Sequence, residues 1–373
     1  MVESILILGI GNAQKDLFEY CSRHHIRTYA CSYTDQGPAA TLADHFEPVD
    51  IADVNGVLDY ARWADVDLVY SIGSDIAMTT IGSVSEALGL PHFVSARVAR
   101  ICNNKAELRS FLGAEFAGNL KHQVIRDTDE SIDLTFPLMM KPVDSQGQRG
   151  VRKVTNMEEL LAHFPNVRSY SRSGDVILEA YVDGPEISVN TYSVDGRMVF
   201  LLCSERIVWP QYQGGIIHKH RIPCESISPE ALANVERLVE QTLEKLKIVN
   251  GPAYFQIKLS RDTPILLEVT PRLDGCHLWR VISEYSGFDL LDAAMKHLSG
   301  TPPQEHHQQP QASGQLYELE FFCDVPGEPF SSNKYSPTNP IFLEWFYADN
   351  ETIRPVNGLF EKCGYQIIRR DQS

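Results

Sequence analysis

Residues 1–95 alternate short apolar runs with segments of helical character, and this alternation limits the fold more than any other feature of the chain. Apolar runs lie at Ile5–Leu8 and Val66–Ile72, and Arg27–Cys31 between them looks like a further strand. Strands that are separated by helices form a parallel sheet whose faces are covered. The sequence therefore predicts an α/β fold that begins with a Rossmann-like domain at residues 1–95.

Two glycine turns follow strands of this domain. The first, Gly9–Asn12, has Gln14 where a dinucleotide-binding fingerprint carries its third glycine, so it is interpreted as a structural turn and not as a nicotinamide site. The second, at residues 73–75, follows the third strand. Ligands bind at the carboxyl ends of strands in open parallel sheets, so Asp75 is a candidate substrate contact.

The overall charge narrows the classes of partner. The chain of 373 residues has 33 lysines and arginines against 49 acidic residues, which gives a formal net charge of −16. Such an acidic protein is a poor general binder of nucleic acid or of anionic membranes. Its eight cysteines form no CxxC pair, and its first residues lack the features of a signal peptide. We therefore expect a cytoplasmic protein with reduced thiols that binds neither nucleic acid nor membranes.

A predicted hairpin carries the first chemical motif. The alternating segments Tyr254–Ser260 and Pro264–Arg272 flank a short turn, and centring the hairpin on Asp262 places Gln256 opposite Glu268. One face then carries Gln256, Glu268, Thr270 and Arg272, and the other, predicted to lie in the core, carries Ile257, Leu259, Ile265, Leu267 and Val269. Oxygen ligands suit Mg²⁺, and an arginine beside them suits phosphate. An ordinary solvated polar face is the alternative.

A second motif lies at residues 137–154, where two strands flank a polar glycine loop. Lys141 stands at the end of the first strand, and the loop contains Ser145, Gln146, Gly147 and Gly150. Backbone amides of such a loop can cover a phosphate chain that the lysine holds electrostatically. Many hairpins contain glycines, so the loop alone does not establish a phosphate site.

A third motif joins Glu179 to Glu186 through a short apolar connection and a Gly-Pro turn. Adenine can hydrogen-bond to the peptide groups of a strand that links two lobes. A carboxylate a few residues later can accept hydrogen bonds from both ribose hydroxyls. A solvated strand end is the alternative for either glutamate.

In this order, the three motifs resemble the ATP-grasp family over roughly residues 1–300. The resemblance implies ATP contacts at Lys105, Lys141, Ser145, Gln146, Gly147, Glu179, Ala180, Val182 and Glu186, and metal contacts with Mg²⁺ or Mn²⁺ at Gln256, Glu268 and Thr270. Gln256 stands where an acid is more frequent, and Thr270 stands where asparagine is usual. A hydroxyl reaches less far than an amide, so Thr270 is a weaker candidate for a metal ligand.

The family resemblance also implies the domain organisation. Residues 1–95 would form the pre-ATP-grasp domain, and residues 96–310 a two-lobed ATP-grasp domain with a lid at about 118–180. Residues 311–373 would form a small β-rich C-terminal region, so that the whole chain is α+β.

The implied activity is that of an ATP-dependent carboxylate–amine ligase. The carboxylate would be activated as an acylphosphate, with release of ADP and phosphate, and Lys141 and Arg272 would be the catalytic residues. One alternative is a bicarbonate-activating enzyme like biotin carboxylase or carbamoyl-phosphate synthase. An alternative of another class is a nucleotide-binding regulatory protein without turnover.

The substrates are less well defined by the sequence. The expected substrates are a small carboxylate and an amine, with amino acids among the candidates. A homodimer is one oligomeric state that the sequence permits. Candidate substrate contacts are Asp75, Gly215, His218, Arg272 and Gly275. Gly215 and His218 belong to a basic loop, residues 213–221, that suits an anionic co-substrate, although an ordinary surface hairpin is the alternative.

Overall fold

The structure is a computed structural model that describes residues 2–145, 147–211, 215–225, 227–304, 315–355 and 360–371. Within these residues the strands form three sheets, of four, eight and four strands. None of the described helices combines the length and apolar character that a membrane span requires. None of the eight cysteines, all of which the structure describes, forms a disulfide bond.

The N-terminal domain contains the parallel sheet that the sequence predicts. Its elements are β1 (Ser4–Leu8), α1 (Asn12–Arg23), β2 (Arg27–Cys31), β3 (His45–Glu47), α2 (Val54–Ala64), β4 (Leu68–Tyr70) and α3 (Asp75–Leu88). The strand order is β3-β2-β1-β4, and every pairing is parallel. The Ser74 side chain accepts a hydrogen bond from the backbone N–H of Ala77 and caps α3. This cap places Asp75 at the first position of the helix.

A small antiparallel sheet forms one lobe of the middle region. After α4 (Ala96–Asn103) and α5 (Lys105–Leu112) come β5 (His122–Ile125), β6 (Leu138–Pro142), β7 (Arg152–Val154), α6 (Met157–Ser169) and β8 (Val176–Ala180). The strand order is β5-β8-β6-β7. The lobe has an apolar cluster of its own, in which Leu138, Met140 and Phe164 are buried. It lies within the segment that the sequence predicts as the lid.

A large antiparallel sheet forms the other part of the middle region and continues to the C-terminal strands. Its region contains β9 (Glu186–Val194), β10 (Arg197–Val208), β11 (Ile217–Ile222), α7 (Pro229–Leu246), β12 (Gly251–Ser260), β13 (Thr263–Thr270), α8 (Leu278–Ser286), α9 (Leu290–Leu298), β14 (Gln315–Asp324), β15 (Phe342–Trp345) and β16 (Glu361–Asp371). The order is β13-β12-β9-β10-β11-β14-β16-β15. The β-rich C-terminal region therefore continues the same sheet. Its predicted boundary at residue 310 lies outside the described residues.

The β12–β13 hairpin confirms part of the predicted register and corrects the rest. Gln256 pairs with Glu268 as expected, but a β-bulge follows Gln256, so that Ile257 pairs with Leu266. An extra residue on one strand reverses the faces beyond it. Leu266 is therefore fully buried, whereas Ile265 and Leu267 are only partly buried. The prediction that Ile265 and Leu267 lie in the core was wrong.

The two main apolar clusters join the N-terminal domain to the large sheet. Residues of β1 that point to one face, such as Ile5, share a cluster with Leu278 and Trp279 of α8. Those that point to the other face, such as Leu6, share a cluster with Phe255 of β12. The carboxyl ends of the N-terminal strands are thereby held against the β12–β13 hairpin.

Candidate functional site

A cavity of about 710 Å³ lies between the small lobe, the large sheet and the end of the N-terminal domain. The predicted site residues that line it are Asp75, Lys105, Lys141, Ser145, Gly147, Glu179, Ala180, Val182, Glu186, Gly215, Gln256, Glu268, Arg272 and Gly275. Gln146 lies outside the described residues. The fold therefore brings together residues from three regions of the chain that the sequence motifs identify separately.

Lys105 is positioned by a helix cap. The side chain of Asn104 accepts a hydrogen bond of 3.0 Å from the backbone N–H of Glu107, which starts α5 at Lys105. The Lys105 ammonium donates to the backbone oxygen of Ser145 at 2.8 Å. Burial lowers the pKa of Lys105, although nearby carboxylates oppose the shift. This lysine therefore reaches from the helix start to the beginning of the glycine loop.

The glycine loop depends on left-handed backbone conformations. Gly147, Gln148 and Gly150 have φ angles of 64°, 62° and 72°. A Cβ atom at Gly150 would lie 2.9 Å from the Tyr170 ring, so a larger residue would require a displacement there. Gly147 and Gln148 line the cavity, where their peptide groups could face a phosphate chain.

Glu179 forms a buried ion cluster with two cations. Its Oε2 accepts from Lys141 Nζ at 2.6 Å, and its Oε1 accepts from Arg109 Nε at 2.7 Å. Arg109 and Glu179 are both fully buried. Burial alone would raise the pKa of Glu179, but the charges of Arg109 and Lys141 outweigh it and lower the pKa to about 2. The carboxylate thus fixes the end of the Lys141 side chain at the cavity wall.

Glu186 and Gln256 are in direct contact. Glu186 Oε1 accepts from Arg206 Nη1 at 2.5 Å and also from the side-chain amide of Gln256. Because the Gln256 nitrogen is used in this bond, its carbonyl oxygen is the atom that remains for a cation. Arg206 lines the cavity and is almost fully buried, with 8% of its surface exposed.

Glu268 is the best candidate for a metal ligand. It lies directly opposite Gln256, lines the cavity, and has no hydrogen bond or ion pair with any residue that the structure describes. The described residues contain no cluster of three or more histidine, cysteine, aspartate or glutamate side chains that could hold a metal. A carboxylate and an amide oxygen fit Mg²⁺ when phosphate oxygens and water complete its coordination. The donor set present therefore suits a metal that arrives with a nucleotide.

Arg272 and Thr270 are held by a residue of the N-terminal domain. Asp75 Oδ1 accepts from Arg272 Nε at 2.5 Å and from the Thr270 hydroxyl at 2.6 Å. Arg272 also donates to the backbone oxygen of Leu273 at 3.0 Å. Burial opposes ionisation of Asp75, but Arg272 and the hydrogen bond from Thr270 lower its pKa. Asp75 therefore lines the cavity and also fixes the side chain of Arg272 through an ion pair.

Two predicted site residues lie elsewhere, and several cavity residues were not predicted. Thr270 and His218 are not among the residues that line the cavity. The His218 ring stacks on Trp209, with 3.8 Å between the ring centres, and its Nε2 lies 3.2 Å from Glu320. The unpredicted members of the cavity wall include Arg206, Lys258, Cys276 and Lys362. Local sequence patterns give no signal for these, because each reaches the cavity through long-range pairing of the large sheet or its connections.

Comparison with known proteins agrees with this geometry. Residues 134–278 match the ATP-grasp domain. The phosphoribosylamine–glycine ligase of Pyrococcus abyssi is 24% identical over 303 residues, which cover 75% of this chain and 68% of that protein. The crystal structure of the L-amino acid ligase from Bacillus licheniformis has a TM-score of 0.80 at 18% identity, over 99% of this chain and 94% of that one.

A further structure with the same TM-score is the biotin carboxylase domain of the Hydrogenobacter thermophilus 2-oxoglutarate carboxylase, in complex with MgADP, ADP and bicarbonate. It is 14% identical and covers 100% of this chain and 87% of that one. At such low identities the two structural likenesses show the fold and not the substrates.

Proposed function

We propose that this chain is an ATP-grasp ligase and that it joins a small carboxylate to an amine by way of an acylphosphate. A carboxylate is a poor acyl donor because it would have to expel oxide. Transfer of the γ-phosphoryl group of ATP to a carboxylate oxygen forms the acylphosphate and ADP. The amine then attacks the acyl carbon and phosphate leaves. The observation that carries the proposal is the convergence of Lys105, Lys141, Glu268 and Arg272 on one cavity.

The nucleotide would occupy the side of the cavity formed by the small lobe. Lys105 and Lys141 would supply positive charge for the phosphates, and the loop residues Ser145, Gly147 and Gln148 would supply backbone amides. The strand connection at Ala180–Val182 offers peptide groups to adenine. Glu186 would accept from the ribose hydroxyls, because only its Oε1 has a hydrogen bond to a described residue.

The reacting groups would lie over the β12–β13 hairpin. Mg²⁺ held by Glu268 and Gln256 would neutralise the charge of the phosphate oxygens. Arg272 would face the transferring phosphoryl group, where fixed hydrogen-bond donors lower the barrier most effectively. Asp75 and the Leu273 carbonyl hold the guanidinium in one orientation, so that it does not have to reorganise during the reaction.

Isotope transfer would test the acylphosphate directly. Purified protein is screened for ADP release against pooled amino acids, hydroxy acids and small dicarboxylates, and a positive acid is then labelled with ¹⁸O in its carboxylate. We expect one labelled oxygen in the released phosphate, since the acid oxygen that attacks the γ-phosphorus leaves with it. Glu268→Ala should release no ADP above background.

The alternatives give different results in the same assay. ADP release that depends on bicarbonate and yields a carboxylated or carbamoylated product would favour bicarbonate activation. Nucleotide binding without ADP release for any acid would favour a regulatory protein. ADP release that is stimulated by an acid but transfers no ¹⁸O to phosphate would contradict the acylphosphate.

A further inference from the structure

The cavity has a second cationic wall to which the proposed function assigns no phosphate contact. It consists of Lys362 on β16, Arg206 on β10 and Cys276, which follows Gly275 after the β12–β13 hairpin. Lys105 and Lys141 have different partners, Ser145 and Glu179.

Lys362 is a partly buried cation that has no counter-ion among the described residues. Its ammonium lies 3.4 Å from the Cys276 sulfur and 3.8 Å from the centre of the Phe321 ring. The structure shows no ion pair between Lys362 and any carboxylate of the described residues. An ammonium that is withdrawn from water without an anion is costly, and a ring face compensates it only in part. The position is therefore suited to an anion that binds from the cavity.

Arg206 has an unused hydrogen-bonding edge. Its Nη1 donates to Glu186, but its buried Nε has no partner among the described residues. A buried donor without an acceptor is unusual in proteins because its desolvation is not compensated. The edge formed by Nε and Nη2 matches the two oxygens of a carboxylate.

Arg206 and Lys362 line the same cavity, and both act on the same two side chains. Besides burial, both Arg206 and Lys362 lower the pKa of the buried His220. The same two cations also act against the burial that raises the pKa of Cys276. Glu186 offsets part of the charge of Arg206 through Nη1, whereas Asp274 accepts from the backbone N–H groups of residues 276 and 278 and forms no ion pair with Lys362.

The wall also opens towards a second cavity. This one, of about 130 Å³, shares Gly275 and Lys362 with the large cavity and is lined further by Asn12, His277 and Tyr347. None of the residues predicted to hold ATP lines it. Lys362 therefore also borders a space to which no nucleotide contact is assigned.

We propose that Lys362 and Arg206 form an anion subsite for a substrate carboxylate that is not the one activated. This inference rests on the proposed ligase function and deepens it. The substrate set then includes either a small dicarboxylic acid or an amino acid whose amine attacks the acylphosphate while its carboxylate is held at the subsite. Simple monofunctional acids and amines would be poor substrates as a pair.

Cys276 offers a test that does not depend on turnover. It lines the cavity beside Lys362, and Cys224 is the other cysteine that is partly exposed. The full-length protein is alkylated with iodoacetamide, and both thiols are followed by mass spectrometry. We expect succinate, glutarate or glycine to slow alkylation of Cys276 at least fivefold and to leave Cys224 unchanged. The neutral succinamide should have no effect.

Substitutions assign the protection to the subsite. Lys362→Met should abolish it, and Lys362→Arg, which keeps the charge, should retain it. Lys258→Met removes another lysine of the cavity wall and should also retain it. Protection by a dicarboxylate identifies the acid substrate as the source of the anion, and protection by glycine identifies the amine.

Equal protection by succinamide, protection that persists in Lys362→Met, or no protection by any of the three carboxylates would overturn the subsite. These results are independent of ADP release, so a failure of the ligase function is recognised separately. In an active enzyme, Lys362→Met should raise the KM of the protecting substrate at least tenfold while the KM of ATP is unchanged.

Discussion

Removing the charge of Glu179 should destabilise the fold and change its response to acid. Glu179→Gln keeps the shape of the side chain but leaves the buried Arg109 and Lys141 without their carboxylate. The side-chain surfaces of Glu179 and Arg109 are 1% and 0% exposed, so solvent screens this interaction little. Loss of one partner from such a buried cluster typically costs about 3–5 kcal/mol.

The pKa of Glu179 gives a second estimate of the same size. The cluster lowers this pKa from 4.5 to about 2. One pKa unit corresponds to about 1.4 kcal/mol, so the ionised form contributes roughly 3 kcal/mol to the free energy of unfolding. Because the folded pKa lies below the unfolded one, this contribution is complete above about pH 4.5. It is lost as the pH falls from there towards about 2.

The measurement is urea-induced unfolding of the full chain from pH 7 to pH 3.5. The difference between wild type and Glu179→Gln should be largest at pH 7 and should shrink below pH 4.5. Asp59→Asn serves as the control, because Asp59 forms an exposed ion pair with Arg62 at 3.7 Å and should contribute less than about 1 kcal/mol. A Glu179→Gln protein as stable as the control, or a difference that does not change with pH, would refute this account of the cluster.

Three further predictions concern the reaction. Lys141→Ala should weaken ATP binding by calorimetry, and it should also lower the unfolding midpoint, because it removes a partner of Glu179. In a magnesium titration, Glu268→Ala should lower kcat far more than Thr270→Ala. Thr270 donates its hydroxyl to Asp75 and offers a metal only a neutral oxygen. Equal losses of kcat in the two variants would contradict this. Arg272→Ala should lower kcat about a hundredfold to a thousandfold with little change in the dissociation constant of ATP. Arg272→Lys should not restore kcat, because an ammonium cannot reproduce the planar guanidinium contact. If ATP affinity collapses while kcat stays normal, Arg272 binds ATP in the ground state and does not stabilise the transition state.

The sequence predicts those parts of the site that local geometry controls. Alternation and a short turn are sufficient to place Gln256 opposite Glu268, because the register of a hairpin follows from its turn. They are not sufficient to place the bulge that turns Leu267 from the core to the cavity. Bulges reflect the fit of a strand to its neighbours, which the hairpin sequence alone does not contain.

Residues that act through distant partners were not predictable in the same way. Arg109 follows Lys105 by one helical turn, and the local sequence does not indicate that its side chain is buried. It is fully buried only because Glu179, 70 residues away, meets it at the cavity wall. Lys362 likewise enters the site because β16 joins the large sheet beside β14.

The contact between Asp75 and the β12–β13 hairpin gives the N-terminal domain a role in the site. Asp75 lies 197 residues from Arg272 and 195 from Thr270, yet one of its oxygens binds both side chains. The domain does not need a dinucleotide fingerprint for this role, because its parallel sheet only has to present the first turn of α3 at its carboxyl edge. The shared apolar clusters fix that edge against the hairpin. The orientation of Arg272 is therefore a property of the assembled domains, and a hairpin with an intact sequence would not by itself hold the guanidinium in place.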